Sequence, residues 1–325
     1  HRLVPTPIAP PRPFVADPAQ RRVVEHSGGP LLVLAGPGTG KTATLVEAVA
    51  ARIEAGADPR SILVLTFSRR AAGELRERIT ARLGPGGSSS GGSGSGGTSG
   101  GGGGGGPGAW TFHAWCLALL RAHDRPAPHG GFRLLSGPER DSRLRELIEG
   151  SREDGRPVWP PQLARALGTR GFTEEVRALL ARAREVGLEP VGLAQLARRT
   201  DRPDWAALAE FYEMYLDVFG FEGALDYADL VHRAVVVAEG AEAGEALRAR
   251  YQHVFVDEYQ DTDPAQERLL RAVAGGGRDL VVFGDPDQSI YAFRGAEVAG
   301  LLGFPQRFGA PGRGAGAPIV ALRTG

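Results

Sequence analysis

Residues 31–42 read LLVLAGPGTGKT, four apolar residues followed by a glycine-rich turn and a Lys-Thr pair. The apolar run predicts a buried strand, and a helical pattern begins at the Lys-Thr pair. A glycine-rich turn at such a junction lets backbone N–H groups surround phosphate oxygens, because no Cβ stands in the way. The stretch therefore predicts a phosphate-binding loop of the P-loop type, and with it an α/β fold.

Two side chains of this loop carry specific chemistry. Lys41 places a compact positive charge near the β- and γ-phosphates of a nucleotide, and it is the only lysine among 38 lysine and arginine residues. The broad planar fork of arginine cannot replace an ammonium group between phosphates. Thr42 offers a hydroxyl group to Mg²⁺. The predicted cofactors are ATP and Mg²⁺, and the predicted nucleotide-binding residues of the loop are Ala35, Gly36, Pro37, Gly38, Thr39, Gly40, Lys41 and Thr42.

Three more apolar runs have the length and composition of buried strands. Each run leads through a polar turn into a helical pattern, which is typical of a doubly wound parallel sheet with helices on both faces. The runs are Ile62-Leu63-Val64-Leu65, Val254-Phe255-Val256 and Leu280-Val281-Val282-Phe283. Asp17 followed by Pro18 is a favourable helix start, and we expect a helix from there to about His26.

The composition limits the classes of partner. The 325-residue chain has 38 basic and 38 acidic residues, so no global positive field attracts nucleic acid. Any contact with DNA would depend on local side chains. The single cysteine excludes an internal disulfide framework, and no apolar run is long enough to span a bilayer. These features predict a soluble, cytoplasmic protein without a membrane partner.

Two segments interrupt the α/β pattern. Residues 84–108 contain only Gly, Ser, Pro and Thr, which predicts a disordered linker. Between about Leu117 and Gly220 the pattern changes to helices, which predicts a helical subdomain inserted into the α/β domain. The predicted boundaries are 1–83 for the first part of the ATPase domain, 84–108 for the linker, 109–120 for the continued ATPase domain, 121–222 for the inserted helical subdomain, 223–302 for the second part of the ATPase domain and 303–325 for the start of a truncated second domain.

Two adjacent carboxylates, Asp257 and Glu258, follow the second of the later apolar runs. A doubly wound sheet binds ligands at the carboxyl ends of its strands. Asp257 is therefore a candidate ligand of Mg²⁺. Glu258 is a candidate general base for the water that attacks the γ-phosphate.

A third segment, residues 284–296, reads GDPDQSIYAFRGA. Together with Asp-Glu-Tyr-Gln at 257–260, it resembles the UvrD/PcrA/Rep group of superfamily 1 DNA helicases. Further matches occur in the expected order and extend the resemblance over nearly the whole chain outside the linker. They are Gln20, TFSRRAA at 66–72, TFHAW at 111–115 and LDYADL at 225–230. The resemblance implies a RecA-like P-loop NTPase domain and an ATP-dependent DNA translocase or helicase that moves 3′ to 5′ in DNA repair or recombination.

The resemblance also implies roles for individual residues. Gln20 would read the adenine edge through its amide, and Gln288 would contact the γ-phosphate, completing a catalytic set with Lys41 and Glu258. Aromatic side chains would stack on unpaired bases without regard to sequence, and polar ones would contact the DNA backbone or support that surface. The implied DNA-binding residues are Phe67, Thr111, His113, Tyr291, Phe293 and Arg294.

The expected partner is single-stranded DNA or a junction of single- and double-stranded DNA. Within the group, DTDPAQ at 261–266 and the Arg- and Ala-rich insertion look most like actinobacterial Adn-type helicase–nuclease motors. That likeness predicts a second motor or nuclease subunit and association with the nucleoid. Motors of this group close ATP between two RecA-like domains, and the second supplies arginine fingers. We therefore expect residues 1–325 alone to be nearly inactive.

Other classes of P-loop protein fit the sequence less well. A non-catalytic nucleotide-binding module that regulates a partner motor stays an alternative, although such a module has no need of the water-activating Glu258. A P-loop kinase or small GTPase would lack the Asp-Glu-Tyr-Gln segment. The chain also has no Asn-Lys-x-Asp guanine motif, which argues against a GTPase.

Overall fold

The computed structural model describes residues 14–84, 107–123, 132–288, 298–309 and 316–323. In chain order its strands are β1 (Pro30–Ala35), β2 (Ile62–Thr66), β3 (Gly108–Thr111), β4 (Arg133–Leu134), β5 (Ala224–Leu225), β6 (His253–Val256), β7 (Asp279–Gly284) and β8 (Ile319–Leu322). Its helices are α1 (Pro18–Val24), α2 (Lys41–Glu54), α3 (Arg69–Leu83), α4 (Phe112–His123), α5 (Gly137–Glu153), α6 (Arg170–Glu185), α7 (Pro190–Arg199), α8 (Pro203–Phe221), α9 (Tyr227–Glu239), α10 (Ala241–Arg250), α11 (Pro264–Ala274) and α12 (Val298–Phe308).

Six of the strands form one parallel sheet in the order β3-β2-β6-β7-β1-β8. The four apolar runs that predicted strands are β1, β2, β6 and β7, and the predicted α/β fold with a parallel sheet is confirmed. The helix expected from Pro18 is also present, and Asp17 caps it by accepting hydrogen bonds from the backbone N–H groups of Ala19 and Gln20. The strand runs are apolar throughout because both faces of the sheet are covered.

Successive residues of each strand enter different cores. Leu31 and Val33 of β1 pack in a core with α1, α2 and α3, whereas Leu32 packs in the opposite core with α4, α9, α11 and α12. Phe255 and Val256 of β6 divide in the same way. This alternation follows from the two-residue period of a strand. Helices on both faces therefore hold the strands in place, and the candidate site lies at the carboxyl ends of these strands.

The stretch for which an inserted helical subdomain was predicted has a hydrophobic core of its own. Helices α5, α6, α7 and α8 enclose that core, which includes Phe211, Tyr212 and Tyr215 of α8. The stretch adds no strand to the six-stranded sheet. Its two-residue strand β4 pairs in parallel with β5 to form a separate small sheet. A pairing this short leaves no sequence signal, because two residues show no periodicity.

A buried ion network joins the helical insertion to the α/β domain. Arg184 of α6 forms ion pairs with Asp229 and, at 3.4 Å, with Asp226, and all three side chains are almost fully buried. The hydroxyl group of Tyr215 donates a hydrogen bond to Asp229 Oδ2 at 2.9 Å. Burial raises the pKa of Asp226, and the Arg184 guanidinium partly offsets that rise. The network therefore depends on one arginine to balance two carboxylates.

The end of the described chain differs from the predicted boundary at residue 303. Strand β8 pairs with β1 in the first sheet, with Ile319 opposite Leu32, and Val320 and Leu322 are buried in its core. Phe304 of α12 is buried in the core on the other face. These residues therefore extend the first domain and do not begin a second one. The predicted boundary missed this pairing, because a short apolar run does not show which sheet it joins. The predicted linker lies largely outside the described residues, and its last residue, Gly108, begins β3.

Candidate active site

The carboxyl ends of β1, β7 and β6 lie side by side, because these strands are neighbours in the sheet. The P-loop follows β1, the Asp257–Glu258 pair follows β6, and residues 285–288 follow β7. Parallel α/β sheets bind ligands at this edge. The topology thus brings together three segments that lie far apart in the sequence.

The P-loop has the backbone geometry of a phosphate cradle. Gly38 and Gly40 have φ angles of 75° and 78°, in the left-handed region that favours glycine. The hydroxyl group of Thr39 donates to the carbonyl oxygen of Gly36 at 2.8 Å and ties the loop together. No side chain caps the N-terminus of α2 at Gly40, so its first N–H groups are available to an anion. The helix dipole also favours negative charge at this position.

Lys41 faces the two acidic side chains across this edge. Its ammonium nitrogen lies 3.5 Å from Asp257 Oδ1 and forms an ion pair with Glu258 Oε1. Burial raises the pKa of Asp257, and the positive charge of Lys41 partly offsets that rise. The predicted convergence of one lysine and two acids is therefore present in the geometry.

Glu258 has an unusual backbone conformation. Its φ angle is 55°, and among the described residues Asp201 is the other non-glycine with a positive φ. Such a conformation costs energy for a residue with a Cβ, and it tends to occur where function or packing demands it. Here it follows directly after β6, and the Glu258 N–H group donates to Asp257 Oδ1 at 3.1 Å. The turn lets two adjacent acids reach the same site, although neighbours on a strand would point to opposite faces.

Gln260 links the acidic turn to the segment after β7. Its Nε2 donates to Glu258 Oε2 at 2.8 Å, and its Oε1 accepts from the backbone N–H group of Asp285 at 3.0 Å. The Asp285 carboxylate in turn accepts from Gln288 Nε2 and from the backbone N–H group of Asp287. Sequence reasoning gave no role to Gln260 or Asp285. Both residues stand in the recognised motifs, but their hydrogen bonds form only because β6 and β7 are neighbours in the sheet.

Gln20 lies against the P-loop. Its Nε2 donates to the carbonyl oxygen of Thr39 at 3.0 Å, and its Oε1 accepts from the backbone N–H group of Asp17 at 3.0 Å. A Cβ added at Gly40 would lie 2.8 Å from Gln20 Nε2, so glycine is needed there for space as well as for its φ angle. The amide predicted to read adenine therefore also supports the loop that would hold the phosphates.

The residues at this edge fit a magnesium ion bound together with phosphates. Thr42 lies in the first turn of α2, and Asp257 directly follows β6 at the same edge of the sheet. Among the described residues, no group of three or more His, Cys, Asp or Glu side chains is arranged to hold a metal by itself. Mg²⁺ typically takes one or two carboxylates and completes its shell with waters and phosphate oxygens. The donor set matches that mode.

The described DNA-binding candidates lie at the ends of β2 and β3. Phe67 is half-buried with its ring centroid 5.6 Å from that of Phe112, and the His113 ring meets the Tyr227 ring edge-on at 5.1 Å. Thr111 is largely buried and accepts a hydrogen bond from the N–H group of Ala114, so it also caps α4. Tyr227 was not among the predicted site residues. The remaining candidates, which lie outside the described residues, are Tyr291, Phe293 and Arg294.

Comparison with known proteins agrees with this arrangement. The chain is 34% identical over 311 residues to ATP-dependent DNA helicase UvrD2 of Mycobacterium tuberculosis (strain ATCC 25618 / H37Rv), covering 91% of this chain and 40% of the relative. It is 29% identical over 295 residues to ATP-dependent DNA helicase PcrA of Bacillus subtilis (strain 168), covering 90% and 36%. The chain thus spans less than half of the length of these relatives. The likeness to Adn-type motors stays a prediction.

No helix in the described part of the chain is long and apolar enough to cross a membrane. The family of the UvrD/REP helicase N-terminal domain matches residues 16–309, which include the P-loop, the acidic turn and the segment after β7. The matched residues thus include all three segments that form the candidate site. The chain belongs to the UvrD/REP helicase family, of which it carries the RecA-like N-terminal domain.

Proposed function

We propose that this chain is the ATP-binding half of a motor that moves along single-stranded DNA. The observation that carries the proposal is the convergence of Lys41, Asp257 and Glu258 at one sheet edge, in a chain that belongs to a helicase family. The relatives UvrD2 and PcrA are ATP-dependent DNA helicases, which supports the same activity for the whole protein. The proposed direction is 3′ to 5′, and the proposed setting is DNA repair or recombination.

In the proposed mechanism, the N–H groups of the P-loop and the start of α2 bind the phosphates of ATP. Lys41 leaves its acidic partners to neutralise the β- and γ-phosphates, since a triphosphate carries more negative charge than a carboxylate pair. Thr42 and Asp257 would hold Mg²⁺, which when bound supplies positive charge to the phosphate oxygens. Gln20 would hold both the loop and the adenine edge.

Glu258 is the proposed general base, and Gln288 the proposed contact of the γ-phosphate. When Lys41 turns to the phosphates, Glu258 Oε1 becomes free to accept a proton from water. Gln260 still holds the other carboxylate oxygen, Oε2. The base is thus fixed at one oxygen and available at the other. In-line attack needs this kind of orientation more than it needs a strong base.

The proposed DNA surface adjoins the nucleotide site, because β2 neighbours β6 in the sheet. Phe67 after β2 and His113 after β3 would meet the DNA, with Tyr227 beside His113. Tyr227 has 45% of its surface exposed, which suits an aromatic side chain that stacks on a base. Thr111 would support this surface from its buried position. The proposal extends the surface to the segment that carries Tyr291, Phe293 and Arg294.

A complete motor needs a second RecA-like domain that closes on ATP and supplies arginine fingers. Loss of such a finger lowers turnover by about 10³–10⁵-fold. The 325-residue chain alone should therefore bind Mg-ATP weakly and hydrolyse it very slowly. Robust DNA-stimulated turnover by this chain alone would contradict the two-domain mechanism. A second motor or nuclease subunit is proposed as a partner on the basis of the Adn-type likeness.

The decisive test is the Glu258→Gln variant in the protein that includes the second domain. We expect it to retain ATP in a filter-binding assay while steady-state hydrolysis, with and without single-stranded DNA, falls to background. Retention of ATP with loss of turnover would distinguish a motor from a regulatory module, which hydrolyses nothing in either form. Unchanged turnover would show that another group acts as the base.

A further inference from the structure

Gln260 is almost completely buried, with 2% of its surface exposed, yet the proposed chemistry gives it no direct part. Its amide makes two hydrogen bonds to different segments, one to the Glu258 carboxylate and one to the backbone of Asp285. A buried amide is costly unless its polar atoms are paired. Here both the nitrogen and the oxygen have partners at 2.8 Å and 3.0 Å.

The chemistry of the partners fixes the orientation of the amide. A carboxylate oxygen can only accept, so Nε2 must face Glu258, and a backbone N–H group can only donate, so Oε1 must face Asp285. A flipped amide would place acceptor against acceptor and donor against donor. Gln260 therefore holds these two partners in one defined geometry.

The neighbouring strand is shaped to admit this side chain. A Cβ added at Gly284, the last residue of β7, would lie 3.2 Å from Gln260 Oε1 and 2.6 Å from Leu301 Cδ1. Any larger residue at 284 would displace the Gln260 amide or the Leu301 side chain of α12. The close approach of β7 to Gln260 thus depends on the residue types at two positions, 260 and 284.

The contacts continue beyond Asp285. Its carboxylate accepts from Gln288 Nε2, so an unbroken series of hydrogen bonds runs from Glu258 through Gln260 and Asp285 to Gln288. One end is the proposed base and the other the proposed γ-phosphate contact. A displacement of either end is resisted by the buried amide between them.

We propose that Gln260 is a positioning residue that holds the water-activating Glu258 in register with the turn that senses the γ-phosphate. This inference rests on the proposed function. Both polar atoms of the Gln260 amide are paired with protein groups. Gln260 acts by fixing the Glu258 carboxylate and by tying that carboxylate to the Asp285 turn, so that the base is aligned when a γ-phosphate is present.

Two substitutions separate the two hydrogen bonds. Gln260→Glu keeps the shape and the acceptor for the Asp285 N–H group, but it replaces the donor to Glu258 with a second carboxylate. A like charge raises the pKa of a neighbouring acid. Gln260→Leu keeps the approximate volume and removes both hydrogen bonds. Gln266→Leu is the matched control, because Gln266 is also buried and its amide caps α11 away from the site.

The measurements are single-turnover ATP hydrolysis across a pH series, with the protein that includes the second domain in excess over ATP, and affinities of the same protein for ATPγS and ADP by displacement of a fluorescent analogue. For Gln260→Glu we expect the acidic limb of the rate profile to move to higher pH by about one unit. For Gln260→Leu we expect the maximum rate to fall about 10–100-fold, the range typical of residues that orient a catalytic group. The half-saturating ATP concentration should change much less. The preference for ATPγS over ADP should fall in both variants, with the ADP affinity unchanged.

Unchanged rate, pH profile and ATPγS preference in both Gln260 variants would overturn the inference while leaving the proposed function intact. An equal effect of Gln266→Leu would overturn it too, since general loosening would then suffice. If the unsubstituted chain bound neither ATPγS nor ADP, the proposed function would fail, and this inference with it.

Discussion

The ammonium nitrogen of Lys41 lies 3.5 Å from Oδ1 of Asp257, across the end of β7, which separates their two strands in the sheet. Had these side chains lain on opposite sides of the molecule, no common cleft could hold a triphosphate and its metal ion. Their contact supports a single site built from β1, β6 and β7. A bound triphosphate would therefore contact the Lys41 ammonium group directly.

Lys41 should be shielded from chemical modification by ATP. Because it is the only lysine in the chain, an N-hydroxysuccinimide ester can acylate one side-chain amine, besides the amino terminus. At an ATP concentration 100 times the dissociation constant, with Mg²⁺ present, we expect acylation of Lys41 to slow about 100-fold. Mass spectrometry of the peptide that contains the P-loop measures the rate. The amino terminus of the same molecules is the internal control, and equal slowing at both amines would contradict specific protection.

Gly40→Ala should weaken nucleotide binding and lower stability. The φ angle of Gly40 is 78°, and an added Cβ would lie 2.8 Å from Gln20 Nε2 and displace that amide from Thr39. The left-handed conformation alone costs about 1–2 kcal/mol for a residue with a Cβ. Urea denaturation and titration with a fluorescent ATP analogue measure the two effects. Gly56→Ala is the control, because Gly56 has a φ angle of 100° and no heavy atom within 4 Å of the added Cβ. It should share the loss of stability but bind ATP normally.

Arg184→Met should strongly destabilise the protein. The change leaves the carboxylates of Asp226 and Asp229 buried without their positive partner, and removing one member of a buried ion pair typically costs about 3–5 kcal/mol. Denaturant unfolding followed by circular dichroism measures the free energy. Arg182→Met on the same helix removes only an exposed ion pair with Glu185 and should cost less than about 1 kcal/mol. Similar losses for both variants would show that the buried network contributes little.

Asp263→Asn should change how stability depends on pH. Burial, helped by the negative charge of Glu185, raises the pKa of the Asp263 carboxyl to about 6, against about 4 in an unfolded chain. Folding thus favours the protonated form, and this contribution is complete below pH 4 and is lost as the pH rises through 6. The asparagine stays neutral and can still cap α11.

We therefore expect the stability of the Asp263→Asn variant, relative to the unsubstituted chain, to rise by about 2–3 kcal/mol between pH 4 and pH 8. Unfolding free energies at several pH values measure this difference, and titrating groups that do not interact with Asp263 cancel in it. A difference that did not change with pH would show that the carboxyl titrates normally in the folded protein.

Local patterns were enough to predict strands β1, β2, β6 and β7 of the six-stranded sheet and the proximity of Lys41 to Asp257. A glycine-rich turn and an acidic pair each follow a buried strand, and parallel strands present their carboxyl ends at one edge. Once the sheet is known to be parallel, the segments that follow its strands must lie at the same edge. For the same reason, Gln288 after β7 falls near the acidic turn.

Other features depend on tertiary contacts that no local pattern reports. The place of strand β8 beside β1 is decided by which edge of the sheet is unpaired. The bridging role of Gln260 needs β6 and β7 to be neighbours, and the capping role of Thr111 needs the exact turn into α4. The insertion was predicted from its helical composition, whereas its attachment through Arg184 was not, because a buried arginine looks like any other in an arginine-rich sequence.

The pairing of β2 with β3 has a practical consequence for how the chain can be handled. The two strands are held by parallel pairing from Leu63 opposite Gly108 to Thr66 opposite Thr111, and α3 also packs on this edge. The peptide that joins α3 to β3 is therefore not what keeps them together. A protein assembled from two separately expressed polypeptides, divided within residues 85–106, should copurify as one unit and still bind ATP, which would allow one piece to be isotope-labelled independently of the other.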